Sequence, residues 1–210
     1  MTQARLVPLS LDIVQRRRKW FAGLMLLALM ALTASVRSVA TFDGQWHEGV
    51  EAFGLALIAL AIVGRAWCSL YIGGRKKAEI VDRGPYSVTR NPLYLFSFIG
   101  AFGVGAQTGS VVIGGVFALA MVLVFLRTVA REEAWLADHF GESYRAYRAR
   151  TPRFWPDPRL WRDADELTVR PIFFLRTLRD GLTLLAAVPI MEGIEALQAA
   201  GHLVWSVRVF

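Results

Sequence analysis

The sequence predicts an all-α integral membrane protein with about five transmembrane helices. Hydrophobic residues make up 55% of the 210 positions, more than the roughly 45–50% that is typical of soluble domains. No charged residue or histidine occurs from 91 to 126. The formal net charge is +7, and the basic residues lie beside apolar stretches. This placement is typical of cytoplasmic loops that contact membrane lipids, and it argues against nucleic acid as a partner.

The first two spans follow from length and flanking charge. A bilayer requires about 20 apolar residues as helix, and residues 20–36 supply such a stretch after four basic residues at 16–19. Because no small-x-small cleavage site ends it, we expect a retained helix rather than a signal peptide. The second span is expected near 50–72. Arg65 interrupts this span and must either pair within the protein or extend to the interface.

The uncharged run predicts a helical hairpin. As one helix it would be about 54 Å long, at about 1.5 Å per residue, which is too long for one crossing. Gly103, Gly105 and Gly109 lie near its middle, together with small polar residues that favour a turn. We therefore expect two short helices, at 93–106 and 110–126.

The remaining sequence predicts orientation and domain organisation. The block 127–170 is too charged to span, and a last apolar region begins near Pro171 and is clearest at 181–191. Basic residues before the first span and in the loop 73–92 predict a cytoplasmic N-terminus, so both polar segments face the cytoplasm. We expect one multi-pass domain over 1–210 in a bacterial inner membrane. It would comprise N-terminal spans (1–80), a motif-bearing core (81–160) and a C-terminal helical region (161–210).

The first candidate site segment precedes the hairpin. Gly84-Pro85-Tyr86 has the composition of a turn, and Pro92 suits the first turn of a helix. A helix that begins beside Arg90 offers unpaired N–H groups and positive charge, which can hold a carboxylate or phosphate. An alternative is a membrane anchor, with arginines on headgroups and tyrosines at the interface. The candidates in this segment are Tyr86, Arg90, Asn91, Pro92, Tyr94 and Leu95.

The second candidate segment lies in the polar block. Glu132 and Glu133 are adjacent carboxylates just beyond a membrane span, where they could bind a ribose diol or a cation. The alternative is a solvated helix whose acids pair with neighbouring arginines. Prolines that flank Arg153 exclude a helix there. Cys68 is the only cysteine, which excludes an intrachain disulfide and a cysteine zinc cluster, and we predict no metal site.

The order and spacing of these elements resemble one family. The pattern is Gly-Pro-Tyr-x-x-x-Arg-Asn-Pro-x-Tyr-Leu at 84–95, Arg-Glu-Glu-x-x-Leu at 131–136, Phe-Gly-x-x-Tyr-x-x-Tyr at 140–147 and Pro-Arg-x-x-Pro at 152–156. It is similar to that of the isoprenylcysteine carboxyl methyltransferase family, which is related to phospholipid N-methyltransferases. The resemblance covers about 81–156. It implies a membrane enzyme that uses S-adenosylmethionine at the cytoplasmic face and takes a lipophilic or lipid acceptor from the bilayer.

The resemblance also implies roles for individual residues. The segment from Tyr86 to Leu95 would border the cofactor, and Glu132 and Glu133 match the family's acidic pair. Tyr144, Tyr147 and Arg153 would form the far wall. The resulting expectation is that Tyr144 binds the cofactor, that Tyr147 and Arg153 are catalytic, and that Arg153 touches the polar head of the substrate.

One departure from the family pattern bears on the chemistry. Many members have histidine where this chain has Asn91, and asparagine cannot titrate. Methyl transfer from a sulfonium requires mainly alignment of the nucleophile and exclusion of water. Because no obvious base is present, the sequence favours a carboxylate or thiol acceptor over an amine. Two other functions stay open, namely an NADPH-dependent membrane reductase of steroid-reductase-like type and a non-catalytic membrane scaffold.

Overall fold

The structure is a computed structural model that describes residues 44–76 and 78–202, the segments 36–38 and 207–209, and six residues between 23 and 33. The predicted first span therefore lies largely outside the described residues. The helices are α1 (Gln45–Ile72), α2 (Pro85–Val88), α3 (Pro92–Ala106), α4 (Val111–Phe140), α5 (Glu142–Arg150), α6 (Pro171–Leu182) and α7 (Ala187–Ala199). Short 3₁₀ turns occupy Pro158–Leu160 and Thr183–Ala186. Strands β1 (Val36–Ser38) and β2 (Val207–Val209) form one short parallel pair.

The architecture is that of an all-α membrane protein, as the sequence predicted. Among the described residues, three helical stretches are long and apolar enough to cross a membrane, namely Gln45–Ile72, Val111–Phe140 and Pro171–Ala199. Large apolar side chains such as Val63 in α1 and Leu123 in α4 are exposed on the outside of the protein. In water such surfaces are costly, whereas in a bilayer they contact lipid.

The hairpin forms, but its second helix is longer than predicted. Helix α3 matches the predicted 93–106, whereas α4 continues for a further fourteen residues beyond the predicted end at 126 and stops at Phe140. The prediction of two short arms was therefore wrong for α4. Charge excludes the segment after 126 from the membrane but not from a helix, because arginine, alanine, glutamate and leucine are strong helix formers. Gly141, with φ of 54°, ends the helix.

Helices α1 and α3 pack closely against each other in the hydrophobic core. A Cβ added to Gly54 of α1 would lie 2.9 Å from the Gly103 carbonyl oxygen of α3, so the two backbones touch. Ile58, Val104 and Phe117 are buried beside this contact. The tight α1–α3 contact aligns the end of α1 with the start of α3.

The C-terminal apolar region is longer than predicted. Helices α6 and α7 and the 3₁₀ turn between them extend from Pro171 to Ala199, beyond the clearest predicted segment at 181–191. Gly181 packs against Ile62 of α1, and Met191 is fully buried in the same core. The region thus packs along α1 as an additional candidate span.

Candidate functional site

A cavity of about 80 Å³ lies where the ends of α1 and α4 meet α2, α5 and the start of α3. We call it the polar cavity. Eight of the eleven residues predicted for the site line it, although they come from three separate segments of the sequence. These residues are Tyr86, Arg90, Asn91, Tyr94, Glu132, Glu133, Tyr144 and Tyr147.

Glu132 forms one wall of the polar cavity through two contacts. Its Oε1 lies 2.9 Å from Lys76 Nζ, and its Oε2 accepts a hydrogen bond of 2.9 Å from the Tyr94 hydroxyl. The residue is only 8% exposed. A buried carboxylate requires such partners, because desolvation otherwise penalises its charge. The contacts with Lys76 and Tyr94 therefore fix the position of the Glu132 carboxyl group at the cavity.

Glu133 lies between two guanidinium groups. Its Oε1 is 3.3 Å from Arg90 Nε, and its Oε2 is 3.1 Å from Arg153 Nε. The Asn91 side-chain amide donates to Oε1 at 3.0 Å and also to the Arg153 carbonyl oxygen at 3.1 Å. The carboxylate thus links the start of α3 to the segment that follows α5.

The tyrosines of the site stay protonated near neutral pH. Burial raises the pKa of Tyr144 to about 12, and it raises the pKa values of Tyr86 and Tyr147 above their ordinary range. The Tyr147 hydroxyl donates 2.7 Å to the Tyr86 carbonyl oxygen. The Tyr86 hydroxyl is itself buried and has no hydrogen-bond partner within the part of the chain that the structure describes. A ligand in the cavity could accept its hydrogen bond.

Backbone hydrogen bonds attach the proline-flanked segment to the start of α3. The Arg90 N–H donates to the Pro152 carbonyl at 2.9 Å, and the Asp157 N–H donates to the Val88 carbonyl at 3.0 Å. The Arg90 side chain also donates to the Arg148 carbonyl oxygen. Because prolines keep this segment extended, its carbonyl oxygens are available to these donors. The docking explains how residues near 90 and near 150 meet.

Three predicted residues do not line the polar cavity. Pro92 is fully buried in the first turn of α3, and Leu95 is half-buried away from the cavity. Arg153 approaches only through its ion pair with Glu133, and its side chain lines a neighbouring open groove. Sequence reasoning missed other lining residues, which belong mainly to the turn after α1. The charged ones are Lys76 and Glu79; the apolar ones are Ile72, Ile80, Val81, Leu93 and Leu136.

A second cavity, of about 430 Å³, adjoins the first one. We call it the apolar cavity. The two cavities share Lys76, Leu93 and Tyr94, and the apolar cavity extends along α1, α3, α4 and α6. Its polar groups include Arg65, whose guanidinium donates to the Ser97 hydroxyl. The charge that interrupts the second span is therefore partnered inside the protein. The other lining residues are Gly23, Ala101, Met121, Phe125, Asp180, Gly181, Thr183 and Leu184.

Comparisons with known proteins identify a family model and several relatives. A family model described as phospholipid methyltransferase matches residues 50–143. The cobalt-zinc-cadmium resistance protein CzcN of Cupriavidus metallidurans is 37% identical over 163 residues, covering 77% of this chain and 75% of CzcN. The nickel-cobalt-cadmium resistance protein NccN of Alcaligenes xylosoxydans xylosoxydans is 34% identical, covering 84% of this chain and 81% of NccN.

A more distant relative carries an enzyme name. The protein-S-isoprenylcysteine O-methyltransferase of Schizosaccharomyces pombe is 32% identical over 95 residues, covering 45% of this chain and 40% of the yeast protein. No solved structure matches the chain. The matches to the family model and to the yeast enzyme support a membrane methyltransferase.

Proposed function

The chain belongs to the isoprenylcysteine carboxyl methyltransferase-like family, and we propose that it transfers a methyl group from S-adenosylmethionine to a lipophilic acceptor at the cytoplasmic face of a bacterial inner membrane. One observation carries the proposal. The buried Tyr86 hydroxyl, without a partner among the described residues, lines the same cavity as the carboxyl groups of Glu132 and Glu133. A polar, cationic ligand could accept the Tyr86 hydrogen bond and would be attracted by both carboxylates.

The residues of the polar cavity suit the chemistry of S-adenosylmethionine. Carboxylates such as Glu132 and Glu133 can accept hydrogen bonds from a ribose diol or face a cation, and Arg90 can hold a carboxylate. When bound, the cofactor supplies an electrophilic methyl group on a sulfonium. Tyr144 would contact the cofactor from α5.

The size of the polar cavity requires one movement. Its volume is about 80 Å³, whereas pockets for small molecules and cofactors have volumes of roughly 300–1,000 Å³. The turn after α1 closes one side through Lys76, Glu79 and Ile80. Gly74 in this turn has φ of 78°, a conformation that favours glycine. We propose that this turn moves outward when the cofactor binds and closes over it afterwards.

The residues of this chain would contribute positioning and exclusion of water rather than a base. Tyr144 and Tyr147 are neutral, and Glu132 and Glu133 are held in ion pairs. For methyl transfer from a bound sulfonium, these residues would have to align the acceptor's nucleophilic atom with the methyl group. A carboxylate or thiolate acceptor is already deprotonated for this step. We therefore propose an acidic acceptor rather than an amine.

Two residues expected to be catalytic are better described as positioning residues. Tyr147 holds the Tyr86 backbone through its hydroxyl, and Arg153 holds Glu133. Each would act on the reaction through its partner.

The apolar cavity supports a lipophilic acceptor. Its walls are mostly apolar, and it meets the polar cavity at Lys76 and Tyr94. An acyl, prenyl or ring system would lie along Met121 and Phe125, and an anionic head would be drawn towards Arg65 and Lys76. The reacting atom would then lie where the two cavities meet.

The names of the bacterial relatives suggest a cellular context. CzcN and NccN are named for resistance to cobalt, cadmium and zinc or nickel. We propose that methylation by this chain contributes to tolerance of such cations. A deletion strain should grow to a lower limiting cobalt concentration, and wild-type protein but not a Glu132→Gln variant should restore growth. Equal rescue by both would contradict a role for the methyl transfer.

The reaction is tested by methyl transfer in native membranes. Membranes that contain the protein are incubated with methyl-labelled S-adenosylmethionine, and lipids are extracted into organic solvent. We expect label in the extract above that of membranes without the protein. Mild base should release it as volatile methanol if the acceptor is a carboxylate. Label that is stable to base would instead identify a thioether or amine product, and an amine product would contradict the proposed acidic acceptor.

The Tyr86 hydroxyl offers a direct test of cofactor contact. A Tyr86→Phe variant should fold with unchanged or higher thermal stability, because it removes an unsatisfied buried group. Its affinity for S-adenosylmethionine should fall about tenfold, the equivalent of roughly one hydrogen bond. Tyr71→Phe is the matched control, since the Tyr71 hydroxyl donates to Asp163 and lies outside the polar cavity. Equal cofactor affinity in wild type and Tyr86→Phe would contradict the proposed contact.

A further inference from the structure

Three potential metal ligands converge at the end of α1 that lies far from the polar cavity. His47 Nε2 is 3.1 Å from Glu51 Oε1 and 3.5 Å from Glu195 Oε1. One ligand atom from each residue lies within 4.8 Å of the others. The polar cavity, by contrast, begins at Ile72, about 40 Å away along a helix at about 1.5 Å per residue. The cluster therefore has no part in the methyl-transfer site.

The fold holds the cluster from three directions. His47 and Glu51 lie one turn apart on α1, and α7 supplies Glu195. Gly109, in the turn between α3 and α4, lies against the imidazole so closely that an added Cβ would be 1.9 Å from Nδ1. Gln107 donates 2.9 Å to the Glu51 carbonyl oxygen from the same turn. The ligand set is thus assembled by tertiary packing rather than by one flexible segment.

We propose that His47, Glu51 and Glu195 bind a divalent transition-metal cation. Both carboxylates approach the same imidazole nitrogen, Nε2, which carries at most one proton and can direct it at one carboxylate only. A cation at the centre would be shared by all three ligands. Ligand distances of about 2.0–2.2 Å in tetrahedral geometry place ligand atoms about 3.4 Å apart. The separation of 3.5 Å between His47 and Glu195 matches this value, and that of 3.1 Å between His47 and Glu51 is slightly shorter.

The ligand types select the class of cation. One imidazole nitrogen with two carboxylate oxygens suits zinc, cobalt, nickel or manganese, whereas calcium and magnesium prefer oxygen alone and copper(I) prefers sulfur. His47 is 4% exposed, and the Glu51 and Glu195 side chains are 31% and 23% exposed. Water and ions can therefore reach the carboxylates while the imidazole is fixed.

The surrounding charges favour a cation. Glu48 and Glu192 both lie close enough to Glu51 to add to the negative potential there. The four carboxylates of Glu48, Glu51, Glu192 and Glu195 exceed what a single imidazolium can neutralise. Sequence analysis predicted no metal site, because His47 and Glu195 lie at opposite ends of the chain and only the fold brings them together.

The test uses cobalt(II), whose visible absorption reports the ligand set directly. The full chain, purified in detergent with any affinity tag removed and stripped by a chelator, is titrated with Co²⁺ alone. We expect one Co²⁺ to bind per chain, with the d–d absorption bands of a site with nitrogen and oxygen ligands. Addition of Zn²⁺ should displace the bound Co²⁺ and abolish these bands. This readout is independent of methyl transfer, so the metal site and the proposed activity can fail separately.

Matched variants identify the ligands. Glu195→Gln and Glu51→Gln should each weaken Co²⁺ binding at least tenfold, whereas Glu48→Gln, at an exposed neighbouring carboxylate, should change it less than threefold. Gel filtration establishes that each variant is folded, and either ligand variant suffices if the other fails to fold. Absence of a stoichiometric Co²⁺ site in the wild type, or undiminished binding in a folded ligand variant, would show that the cluster is only an ion-pair network and overturn the proposal.

Discussion

Glu133 offers the strongest test of how the candidate site is held together. A Glu133→Gln substitution keeps the shape and one hydrogen-bond acceptor for Asn91, but it removes the negative charge between Arg90 and Arg153. The two guanidinium groups would then face each other without a counter-ion. We expect lower stability, because a buried charge that loses its partner is strongly destabilising.

The size of the stability loss in Glu133→Gln depends on how deeply the charged side chains are buried. Loss of one partner from a fully buried pair costs about 3–5 kcal/mol. The Glu133 side chain is 12% exposed and that of Arg90 9%, but that of Arg153 is 38% exposed, so water offsets part of the loss. We expect a decrease of about 2–3 kcal/mol in the free energy of unfolding. At about 2–4 °C per kcal/mol for a chain of this size, the melting temperature should fall by about 4–12 °C.

The assay is a thermal melt of detergent-purified protein, with Glu142→Gln as the matched control. Glu142 forms an ion pair of 3.0 Å with Arg145, but their side chains are 82% and 69% exposed. Exposed pairs of this kind within one helix contribute about 0.3–0.5 kcal/mol, so this control should melt within about 2 °C of the wild type. Equal shifts in the two variants, or no shift for Glu133→Gln, would refute the reasoning from burial.

Two further predictions concern backbone conformation and pH. Gly109→Ala should destabilise the protein by at least about 2 kcal/mol in a chemical or thermal melt, because φ is 67° and the new Cβ would overlap His47. The control is Gly115→Ala in α4, where the new Cβ would have no atom within 4 Å. This control should be neutral or stabilising by about 0.5–1 kcal/mol. Burial raises the pKa of Tyr144 to about 12, above about 10 for the unfolded chain, so its contribution to stability is complete below pH 10 and is lost as the pH rises from 10 to 12. The melting temperature should therefore fall less between pH 9 and 11 in Tyr144→Phe than in the wild type, and identical pH profiles would contradict this assignment.

The spans were predictable because hydropathy and charge act locally. The uncharged run 91–126 shows where lipid-facing helices can form, and the glycines near 105 show where the hairpin turns. The length of α4 was not predictable from the same signals. Charge shows where a membrane segment ends, whereas Gly141, beyond that point, ends the helix.

The composition of the site was predictable only where residue order formed a pattern. Glu132 and Glu133 stood out as adjacent carboxylates in a family-like order, and the structure brings both to the polar cavity. Their roles in cofactor binding stay predictions. Lys76 appeared only as one charge among several in a basic loop, and nothing local indicated its ion pair with Glu132. Contacts of this kind, like that of His47 with Glu195, depend on the packing of distant helices.

The central claim is tested most directly by cofactor binding to the purified full chain, because this measurement requires no knowledge of the acceptor. Equilibrium binding is measured for S-adenosylmethionine, its demethylated product and NADPH. We predict saturable binding of the first two ligands and no binding of NADPH. The affinity for S-adenosylmethionine should be at least tenfold weaker in Glu132→Gln and unchanged in the exposed control Glu142→Gln. A folded wild-type protein that binds NADPH instead, or neither S-adenosylmethionine nor its product, would contradict the methyltransferase account.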